Sequence, residues 1–416
     1  MGTILPRHAR EVVTEAMSDT RVVLVNGARQ GGKSTLVQQI GNDIGAKWFS
    51  LDDPDTLRLA LENPSDFVEV DRPLIIDEIQ RAPELVLPIK YSVDQYPRPG
   101  KFLLTGSARV LGLRNLPDSL VGRMETVELW PLSQGEIDGR PDRFVDAIFR
   151  QGTEFRHTSA ESRTDYIDRL VRGGFPESVA RSQKRRVRFF STYVGDLINR
   201  DVRQLMSIER GREMRQLVEL LAAVSGQLLV EAQLAKKLGI DRKTVETYVA
   251  LLEEVFLIKR IPAWTRNLAT RATATPKVAM VDSGVAASLI GANAHRLRQP
   301  GAPLGHLLEG FVAMELARQL TWSEELTDIY HYRTRDKVEV DIVLENRRGE
   351  AVGIEVKAAQ VVKPEDFKGL RNLVSHVGDD FIAGVLLYAG KYTLTIDEKL
   401  LAVPISALWE SGPVDS

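Results

Sequence analysis

A glycine-rich segment between an apolar strand and a helix is the feature that most constrains how this chain folds. Residues 27–34 have the sequence GARQGGKS. They follow the segment RVVLV at residues 21–25, which is typical of a buried strand, and precede a stretch in which Leu36, Val37 and Ile40 recur at helical spacing. The segment matches the pattern G-x-x-x-x-G-K-[ST], a tight loop that leads from a strand into a helix. We therefore expect an α/β domain with a phosphate-binding loop.

This loop supplies groups that suit the phosphates of a nucleotide. Glycines let the backbone curl, so that successive N–H groups and the helix N-terminus face the β- and γ-phosphates. Lys33 adds a positive charge, and the Ser34 hydroxyl can complete the shell of a magnesium ion. The alternative, a glycine-rich turn with a chance lysine, is opposed by the flanking strand and helix. The predicted ATP-binding residues are Gly27, Gln30, Gly31, Gly32, Lys33, Ser34, Thr35, Thr105 and Ser107.

An apolar strand that ends in two acids predicts the second half of the site. In the segment LIIDE at residues 74–78, Asp77 would hold magnesium, directly or through water, and Glu78 would polarise the attacking water as general base. The pair favours hydrolysis over small-molecule kinase chemistry, because a kinase receives its nucleophile with the substrate. The alternative is that Glu78 only caps an exposed strand end.

Two further features extend the predicted catalytic site. The segment KFLLTGS at residues 101–107 ends another apolar strand with hydroxyls, and either Thr105 or Ser107 would contact the γ-phosphate or the water. Arg123 is a candidate to stabilise transition-state charge, from this subunit or from a neighbour in a homo-oligomer. A surface arginine is the alternative.

The length of the chain and its succession of apolar runs predict several domains. A chain of 416 residues exceeds what one hydrophobic core usually serves. Apolar runs at residues 47–51, 73–76, 101–104 and 126–129 alternate with stretches long enough for helices, which predicts a parallel sheet with helices on both faces. The predicted domains are an ATPase domain at residues 1–150, a helical linker or lid at 151–225, a winged helix at 226–295 and a separate α/β domain at 296–416.

The winged helix is predicted from two helices at residues 231–238 and 242–253, joined by a short turn and followed by strands at 255–261 and 277–281. Such a module either contacts DNA or serves as a protein–protein module. A basic stretch at residues 181–215 precedes it, which is typical of a solvated helix face or of a nucleic-acid surface.

If the module contacts DNA, its second helix would enter the major groove with Arg242, Lys243 and Thr244 near the bases or phosphates. Arg266 and Arg271 would then belong to the wing.

Alternating carboxylates in the last domain predict a cation site. The strands at residues 338–344 and 351–357 form a hairpin centred near residue 348, which places Asp341 opposite Glu355. Opposed carboxylates repel unless a cation lies between them, so Asp341, Glu355 and Glu309 could hold magnesium while Lys357 activates water for phosphodiester attack. The alternative is an edge hairpin that turns its polar side to water.

The motifs of the first half resemble those of AAA-type ATPases of bacteria and archaea. That family repeats Gly-x-Arg-Gln-x-Gly-Lys-Ser/Thr, an Asp-Glu-Ile-Gln strand end, Thr-Gly-Ser and a Gly-Arg pair, which lie here at residues 27–34, 77–80, 105–107 and 122–123. The resemblance implies an ATPase that uses ATP and Mg²⁺, followed by a winged helix and a C-terminal domain similar to restriction endonucleases. It implies no particular client.

The C-terminal carboxylates are similar to the PD-(D/E)xK core of the restriction-endonuclease-like superfamily. Asp341 and the Glu355-Val356-Lys357 segment take the places of its acids and lysine, and Val340 replaces the proline often found before the first acid.

The expected fold is α/β: a parallel-sheet P-loop NTPase domain of the AAA/ASCE type, a helical linker with a winged helix, and a nuclease-like domain. The expected function is Mg²⁺-dependent ATP hydrolysis that moves a DNA-associated module, with or without phosphodiester cleavage. A non-catalytic switch, or a chaperone- or defence-type ATPase that acts on protein, is the alternative.

Composition excludes several other classes of protein. The sequence has no cysteine, which excludes disulfides, thiolate nucleophiles and cysteine-bound zinc. Its first residues lack the apolar core and small-residue cleavage site of a signal peptide. No run approaches the roughly 18 apolar residues of a membrane helix, so we expect a cytoplasmic protein without a membrane partner.

Overall fold

The computed structural model describes residues 4–107, 120–202 and 211–412, so residues 203–210 of the basic stretch lie outside the described part. The chain forms two compact units. One consists of Pro6–Pro131 and Glu254–Phe256, and the other of Met1–Leu5, Leu132–Glu253 and Leu257–Ser416. Within the described residues, no helix is long and apolar enough to span a membrane.

The first unit is built on a five-stranded parallel sheet with the order β2-β3-β4-β1-β5. Its strands are β1 (Val22–Gly27), β2 (Lys47–Ser50), β3 (Leu74–Asp77), β4 (Phe102–Gly106) and β5 (Met124–Leu129). Its helices are α1 (Ala9–Asp19), α2 (Lys33–Asp43), α3 (Pro54–Glu62), α4 (Pro64–Val68) and α5 (Val86–Gln95).

Both faces of this sheet are buried, as a parallel sheet requires. Leu24, Leu74 and Leu104 point into one apolar cluster, whereas Val25 and Leu103 point into another on the opposite face. The prediction of a parallel sheet covered by helices on both sides is thus confirmed. Because β4 lies between β1 and β3, the phosphate loop, the acids after β3 and the hydroxyls of β4 meet at one edge.

The second unit begins with helices and contains the predicted helix–turn–helix. Gly239 ends the first helix of that motif with a left-handed φ of 67°, and the Asp241 side chain accepts the Thr244 N–H at 2.9 Å to start the second. A π-helical turn spans Leu197–Val202. The α-helices before the motif are α6 (Gln134–Asp138), α7 (Phe144–Gln151), α8 (Arg163–Arg172), α9 (Pro176–Val179), α10 (Gln183–Asp196) and α11 (Gly211–Ala223). The motif itself consists of α12 (Glu231–Leu238) and α13 (Arg242–Glu254).

Two antiparallel strands follow the motif, as predicted, but a helix connects them. Strand β6 (Ile258–Ile261) pairs with β7 (Lys277–Met280), and α14 (Leu268–Thr273) lies between them in sequence. Leu228 bridges Lys277 from the other side of β7. The helices that come next are α15 (Ser283–Leu289), α16 (Ala294–Leu297) and α17 (Leu304–Gln319).

A six-stranded mixed sheet with the order β12-β13-β11-β10-β9-β8 completes the unit. In it β8, β9 and β10 form an antiparallel meander, and β10 then pairs in parallel with β11. The elements are β8 (Thr327–Arg333), β9 (Glu339–Asn346), β10 (Ala351–Lys357), α18 (Lys368–Val377), β11 (Phe381–Tyr388), β12 (Leu394–Asp397), β13 (Leu400–Pro404) and α19 (Ala407–Glu410).

The predicted hairpin register is correct, but the hairpin is not at an edge. Ile354 lies opposite Ile342, and Glu355 and Asp341 are the next residues on the two strands. Because β8 and β11 cover the outer sides of β9 and β10, the hairpin is central in the sheet. Asp341 on its polar side is only 8% exposed, which disagrees with an edge hairpin that turns this side to water.

Candidate functional site

The phosphate-binding loop connects β1 to α2 through a tight turn. Gln30 and Gly32 adopt positive φ angles of 59° and 100°, and Lys33 and Ser34 are the first residues of α2. A Cβ on Gly27 would lie 2.0 Å from the carbonyl oxygen of Leu129, so glycine is required where β1 and β5 pair. The predicted strand–loop–helix context is therefore present.

Lys33 is folded onto its own loop. Its ammonium donates hydrogen bonds to the carbonyl oxygens of Gly27 and Ala28, both at 3.0 Å, and the residue is only 4% exposed. This places a buried positive charge at the loop that would receive phosphate. Thr35, the next helical residue after Ser34, is exposed.

Asp77 joins the two halves of the predicted site. Its Oδ1 atom accepts one hydrogen bond from the Ser34 hydroxyl at 2.9 Å and another from the Thr105 hydroxyl at 2.6 Å. Burial raises the pKa of the Asp77 carboxyl, although these two hydrogen bonds act in the opposite direction. The P-loop, the end of β3 and the end of β4 therefore meet at one carboxylate oxygen.

Glu78 occupies an unusual backbone conformation beside Asp77. Its φ and ψ angles are 61° and 49°, a left-handed conformation that costs energy for a residue other than glycine and that often occurs at active sites. Its N–H donates to the Thr105 hydroxyl oxygen at 2.9 Å. The Gln80 amide donates to the Glu78 carboxylate, and also to the Ser107 hydroxyl at 2.9 Å. The alternative in which Glu78 caps an exposed strand end does not describe this set of contacts.

Two residues at this site were not assigned a role from the sequence. Gln80 belongs to the Asp-Glu-Ile-Gln segment, but nothing in its spacing indicated that it holds Glu78. Arg7 donates to the carbonyl oxygens of Gly31 at 2.8 Å and of Trp130 at 2.6 Å, and so braces the loop. No sequence pattern could predict this role of Arg7, because its two partners are 24 and 123 residues away along the chain.

Arg123 lies at the other end of the sheet from the phosphate loop. Its carbonyl oxygen accepts the N–H of Val22, at the start of the six-residue strand β1, whereas the loop follows the end of that strand. The strand is about 20 Å long. The Arg123 guanidinium also donates to Oδ2 of Asp94 at 2.9 Å. This position disagrees with a role of Arg123 in the site of its own subunit, and leaves the role in a neighbouring subunit and the surface arginine as the two predictions.

The predicted C-terminal acids surround a lysine that the sequence did not point to. The Lys277 ammonium donates to Oδ1 of Asp341 at 2.9 Å and lies 3.8 Å from Oε2 of Glu309. The other oxygen of Asp341 accepts the Val356 N–H at 3.0 Å. Lys277 comes from β7, 64 residues before Asp341. The predicted opposition of carboxylates is thus present, and a lysine supplies a cation.

The remaining two members of the cluster pair with each other. The Lys357 ammonium donates to Oε1 of Glu355 at 2.9 Å, while Oε2 of Glu355 is buried without a hydrogen-bond partner among the described residues. Burial and then the charge of Asp341 raise the pKa of Glu309 to about 8 and that of Glu355 to about 7. Burial disfavours the charged form of Lys357, but the neighbouring Glu355 raises its pKa overall. Both glutamates therefore gain protons easily.

This cluster does not fit a metal ion as its side chains stand. Across the described ranges, no group of three or more His, Asp and Glu side chains is arranged so that it could hold one. Lys277 instead contacts Asp341, the first predicted ligand.

The predicted DNA-contacting residues lie at the start of α13, where Arg242 and Lys243 are exposed and Thr244 is partly exposed. The Arg242 guanidinium pairs with Glu246 at 2.8 Å and approaches Glu231 at 3.3 Å.

The predicted wing residues are bound elsewhere. Arg271 forms a hydrogen-bonded ion pair with Glu345 at 2.7 Å, and Arg266 donates to the carbonyl oxygen of Val377 at 2.6 Å. Arg271 therefore contacts β9 of the six-stranded mixed sheet, and Arg266 contacts the end of α18 beside it; we call the part of the chain that holds this sheet the mixed-sheet domain.

Three family models match separate parts of the chain. Residues 19–138 match an AAA domain, and residues 163–296 and 304–408 match two domains of unknown function, DUF8612 and DUF4143. Two uncharacterized proteins, Rv2008c of Mycobacterium tuberculosis and Mb2031c of Mycobacterium bovis, are each 28% identical over 415 residues, which is 98% of this chain and 86% of theirs.

Two solved structures are among those that match the chain. The Walker-type ATPase paby2304 of Pyrococcus abyssi superposes with a TM-score of 0.43 at 14% identity, over 69% of this chain and 96% of that one. RuvB of Thermotoga maritima gives a TM-score of 0.30 at 18% identity, over 62% and 90% of the two chains. The match of residues 19–138 to the AAA model and the geometry of the loop after β1 agree: the chain carries an AAA-type P-loop ATPase domain.

Proposed function

We propose that the site at residues 27–34, Asp77 and Glu78 hydrolyses ATP with Mg²⁺. The observation that carries this proposal is Oδ1 of Asp77, which accepts hydrogen bonds from Ser34 and Thr105 at 2.9 and 2.6 Å. Ser34 and Asp77 offer the oxygen ligands that Mg²⁺ takes from proteins alongside substrate phosphates. When bound, Mg²⁺ neutralises charge on the β- and γ-phosphate oxygens.

The other residues have defined tasks in this reaction. The N–H groups at the start of α2 bind phosphate, and Lys33 exchanges its two loop carbonyls for phosphate oxygens. Glu78 takes a proton from water while the water oxygen bonds to the γ-phosphorus and the bond from that phosphorus to the leaving oxygen of ADP breaks.

Gln80 and Ser107 support this proposal as positioning residues. The Gln80 amide contacts both the Glu78 carboxylate and the Ser107 hydroxyl, and so fixes the carboxylate next to β4. Thr105 already donates to Asp77 and accepts from the Glu78 N–H. We therefore assign Ser107 as the hydroxyl nearest the γ-phosphate.

Arg123 would complete the site of a neighbouring copy. It lies at the amino end of β5, so its own chain offers it Asp94 and not the phosphate loop. A guanidinium brought to a γ-phosphate stabilises transition-state charge. This part of the proposal requires a homo-oligomer.

The second unit would couple ATP turnover to duplex DNA through the start of α13. Support for this step comes from the exposed Arg242 and Lys243 at a helix N-terminus within a helix–turn–helix arrangement followed by two strands. The test is whether duplex DNA stimulates ATP turnover and whether a non-hydrolysable ATP analogue changes affinity for DNA in a salt-controlled assay.

A protein client is the second candidate. It is favoured by the ion pairs of Arg242 with Glu246 and of Arg271 with Glu345, because each removes a basic group that DNA would need. Absence of both DNA stimulation and salt-dependent DNA binding would select this candidate. Phosphodiester cleavage is not part of the proposal, because the C-terminal acids do not fit a metal ion as they stand.

Phosphate release from ATP tests the proposed reaction. We expect turnover that requires Mg²⁺ and stops when EDTA removes it, and we expect Lys33→Ala to lose both ATP binding and turnover. Gln80→Leu should lower kcat about tenfold with little change in KM, because it removes the hydrogen bond that orients Glu78 but no contact to phosphate. The matched control is Gln38→Leu on the exposed side of α2. Turnover that persists in EDTA would remove Mg²⁺ from the mechanism.

A further inference from the structure

Lys277 is a buried ammonium inside a group of carboxylates. Its side chain is 6% exposed, its Nζ atom lies 2.9 Å from Asp341 and 3.8 Å from Glu309, and the Asp341 side chain is itself 10% exposed. Charges this deeply buried are stable only when they are paired and hydrogen-bonded. Lys277 thus supplies a positive charge at the place where the opposed acids of β9 and β10 require one.

The backbone holds Lys277 in this place from two sides. It pairs with Ile261 of β6 on one side and is bridged by Leu228 on the other. The neighbouring Val278 exchanges hydrogen bonds of 2.9 Å with Gln227 and 2.7 Å with Gly226. These main-chain contacts fix the backbone of Lys277 beside the cluster, and its ion pair with Asp341 fixes the ammonium.

Further contacts fasten the β6–β7 pair to the mixed sheet. His331 of β8 donates its N–H to Pro262 at 2.9 Å and accepts the Trp264 N–H on its carbonyl oxygen at 2.6 Å. The Trp264 indole and the Arg271 guanidinium both donate to Glu345 of β9, at 2.9 and 2.7 Å. Lys277 is therefore one of several groups that fix this strand pair against β8 and β9.

Both oxygens of Asp341 are engaged by the protein. Oδ1 accepts from Lys277 and Oδ2 from the Val356 N–H. In contrast, Oε2 of Glu355 is buried and has no hydrogen-bond partner among the residues that the structure describes. A divalent cation would need the Asp341 oxygen that Lys277 holds, and it would also meet the repulsion of the ammonium.

We propose that Lys277 is the resident cation of the cluster formed by Asp341, Glu309 and Glu355, and that it excludes divalent metal ions from this cluster. The mixed-sheet domain is then a non-cleaving module whose acids anchor the β6–β7 strand pair. Removal of the ammonium takes away the positive charge that Lys277 supplies to the three carboxylates. We expect the cluster then to bind a divalent cation. This inference is independent of ATP hydrolysis in the first unit.

Manganese binding to the full-length chain without nucleotide tests this inference. The stoichiometry is measured by electron paramagnetic resonance of free Mn²⁺ in four proteins: wild type, Lys277→Met, Lys277→Met with Asp341→Asn, and the exposed-lysine control Lys237→Met. Manganese at the nucleotide site is common to all four. We expect one additional Mn²⁺ per chain in Lys277→Met only.

Two results would overturn the inference. The first is a folded Lys277→Met protein that binds no more Mn²⁺ than wild type. The second is a Mn²⁺ bound at the cluster of a chain that retains Lys277. This second test uses Asp77→Asn, which removes the proposed metal ligand of the nucleotide site. We expect no tightly bound Mn²⁺, and one bound Mn²⁺ that is lost when Asp341→Asn is added contradicts the inference even if Lys277→Met fails to fold.

Discussion

Thr105 donates its hydroxyl proton to Oδ1 of Asp77 across 2.6 Å and accepts the N–H of Glu78 at 2.9 Å. One fully buried hydroxyl thereby orients the side chain of the first acid and the backbone of the second. Since Asp77 and Glu78 have different tasks in the proposed reaction, Thr105 links the proposed magnesium ligand to the proposed general base.

Replacement of Thr105 by valine should impair turnover more than nucleotide binding. Valine keeps the shape but leaves the Glu78 N–H without its acceptor and Asp77 without one donor, which costs about 1–3 kcal/mol of folding free energy. We expect kcat to fall at least about tenfold, with ATP affinity close to that of wild type. Steady-state kinetics and nucleotide titration measure the two effects. Thr14→Val, at an exposed site on α1, should change neither, and equal kinetics in both variants would contradict this role of Thr105.

Arg123 should act on a neighbouring copy and not on its own site. We expect Arg123→Ala to bind ATP but to hydrolyse it at least about tenfold more slowly. Glu78→Gln should be equally slow, because it lacks the base. A mixture of the two variants contains interfaces with an intact Glu78 facing an intact Arg123, so mixing should restore part of the turnover. Full activity of Arg123→Ala alone, or a mixture no faster than its components, would remove Arg123 from the reaction.

Arg242 and Lys243 should contribute to DNA binding through phosphate contacts. Each contact releases about one counterion, so Arg242→Ala and Lys243→Ala should each lower affinity and reduce the slope of log K against log salt by about 1. Fluorescence anisotropy with labelled duplex DNA at several salt concentrations measures both quantities. Lys237→Ala, exposed on α12, is the charge-matched control. An unchanged salt slope would assign these residues to another partner.

His331 should make folding stability depend on pH. Burial lowers its pKa from 6.5 to about 4, although its Nε2–H donates to the Thr275 carbonyl oxygen at 3.0 Å. Between these two values the unfolded chain binds a proton that the folded protein does not. The free energy of unfolding therefore falls as pH falls through this window, by up to about 1.4 kcal/mol per pH unit.

Urea unfolding at pH 7 and pH 5 checks this prediction. His331→Gln should lose the His331 part of the pH dependence, because glutamine does not titrate. His295→Gln, at an exposed site, should keep the wild-type dependence. Identical pH dependence in wild type and His331→Gln would show that His331 is not buried in its neutral form.

The local patterns of the first unit predicted the strands and the helix that carry the candidate site. Motif spacing placed Asp77 and Thr105 at the carboxyl ends of strands and Ser34 at the start of the helix after β1, and these elements meet because β4 lies between β1 and β3. What spacing does not contain is side-chain direction. The Gln80 contact with Glu78 depends on the left-handed backbone conformation of Glu78. Residue patterns do not predict this conformation for a glutamate.

Contacts between distant segments account for most of what the sequence did not predict. Lys277 meets Asp341 across 64 residues, and the predicted cation site therefore included no lysine from β7. Helix α14 forms in the segment between the two strands that was assigned to the wing, and Asn267 caps this helix by accepting the Ala269 and Thr270 N–H groups at 3.0 and 3.2 Å. That asparagine was an available signal.

The hydrolysis of ATP by wild type and by Glu78→Gln is the most direct test of the account. Phosphate release and ATP binding are measured on the same samples with Mg²⁺, and the substitution keeps the size of the side chain while removing the base. We expect Glu78→Gln to bind ATP as wild type does and to release phosphate about 10²–10⁴-fold more slowly. Phosphate release at the wild-type rate by Glu78→Gln would contradict the assignment of this site as the hydrolytic centre.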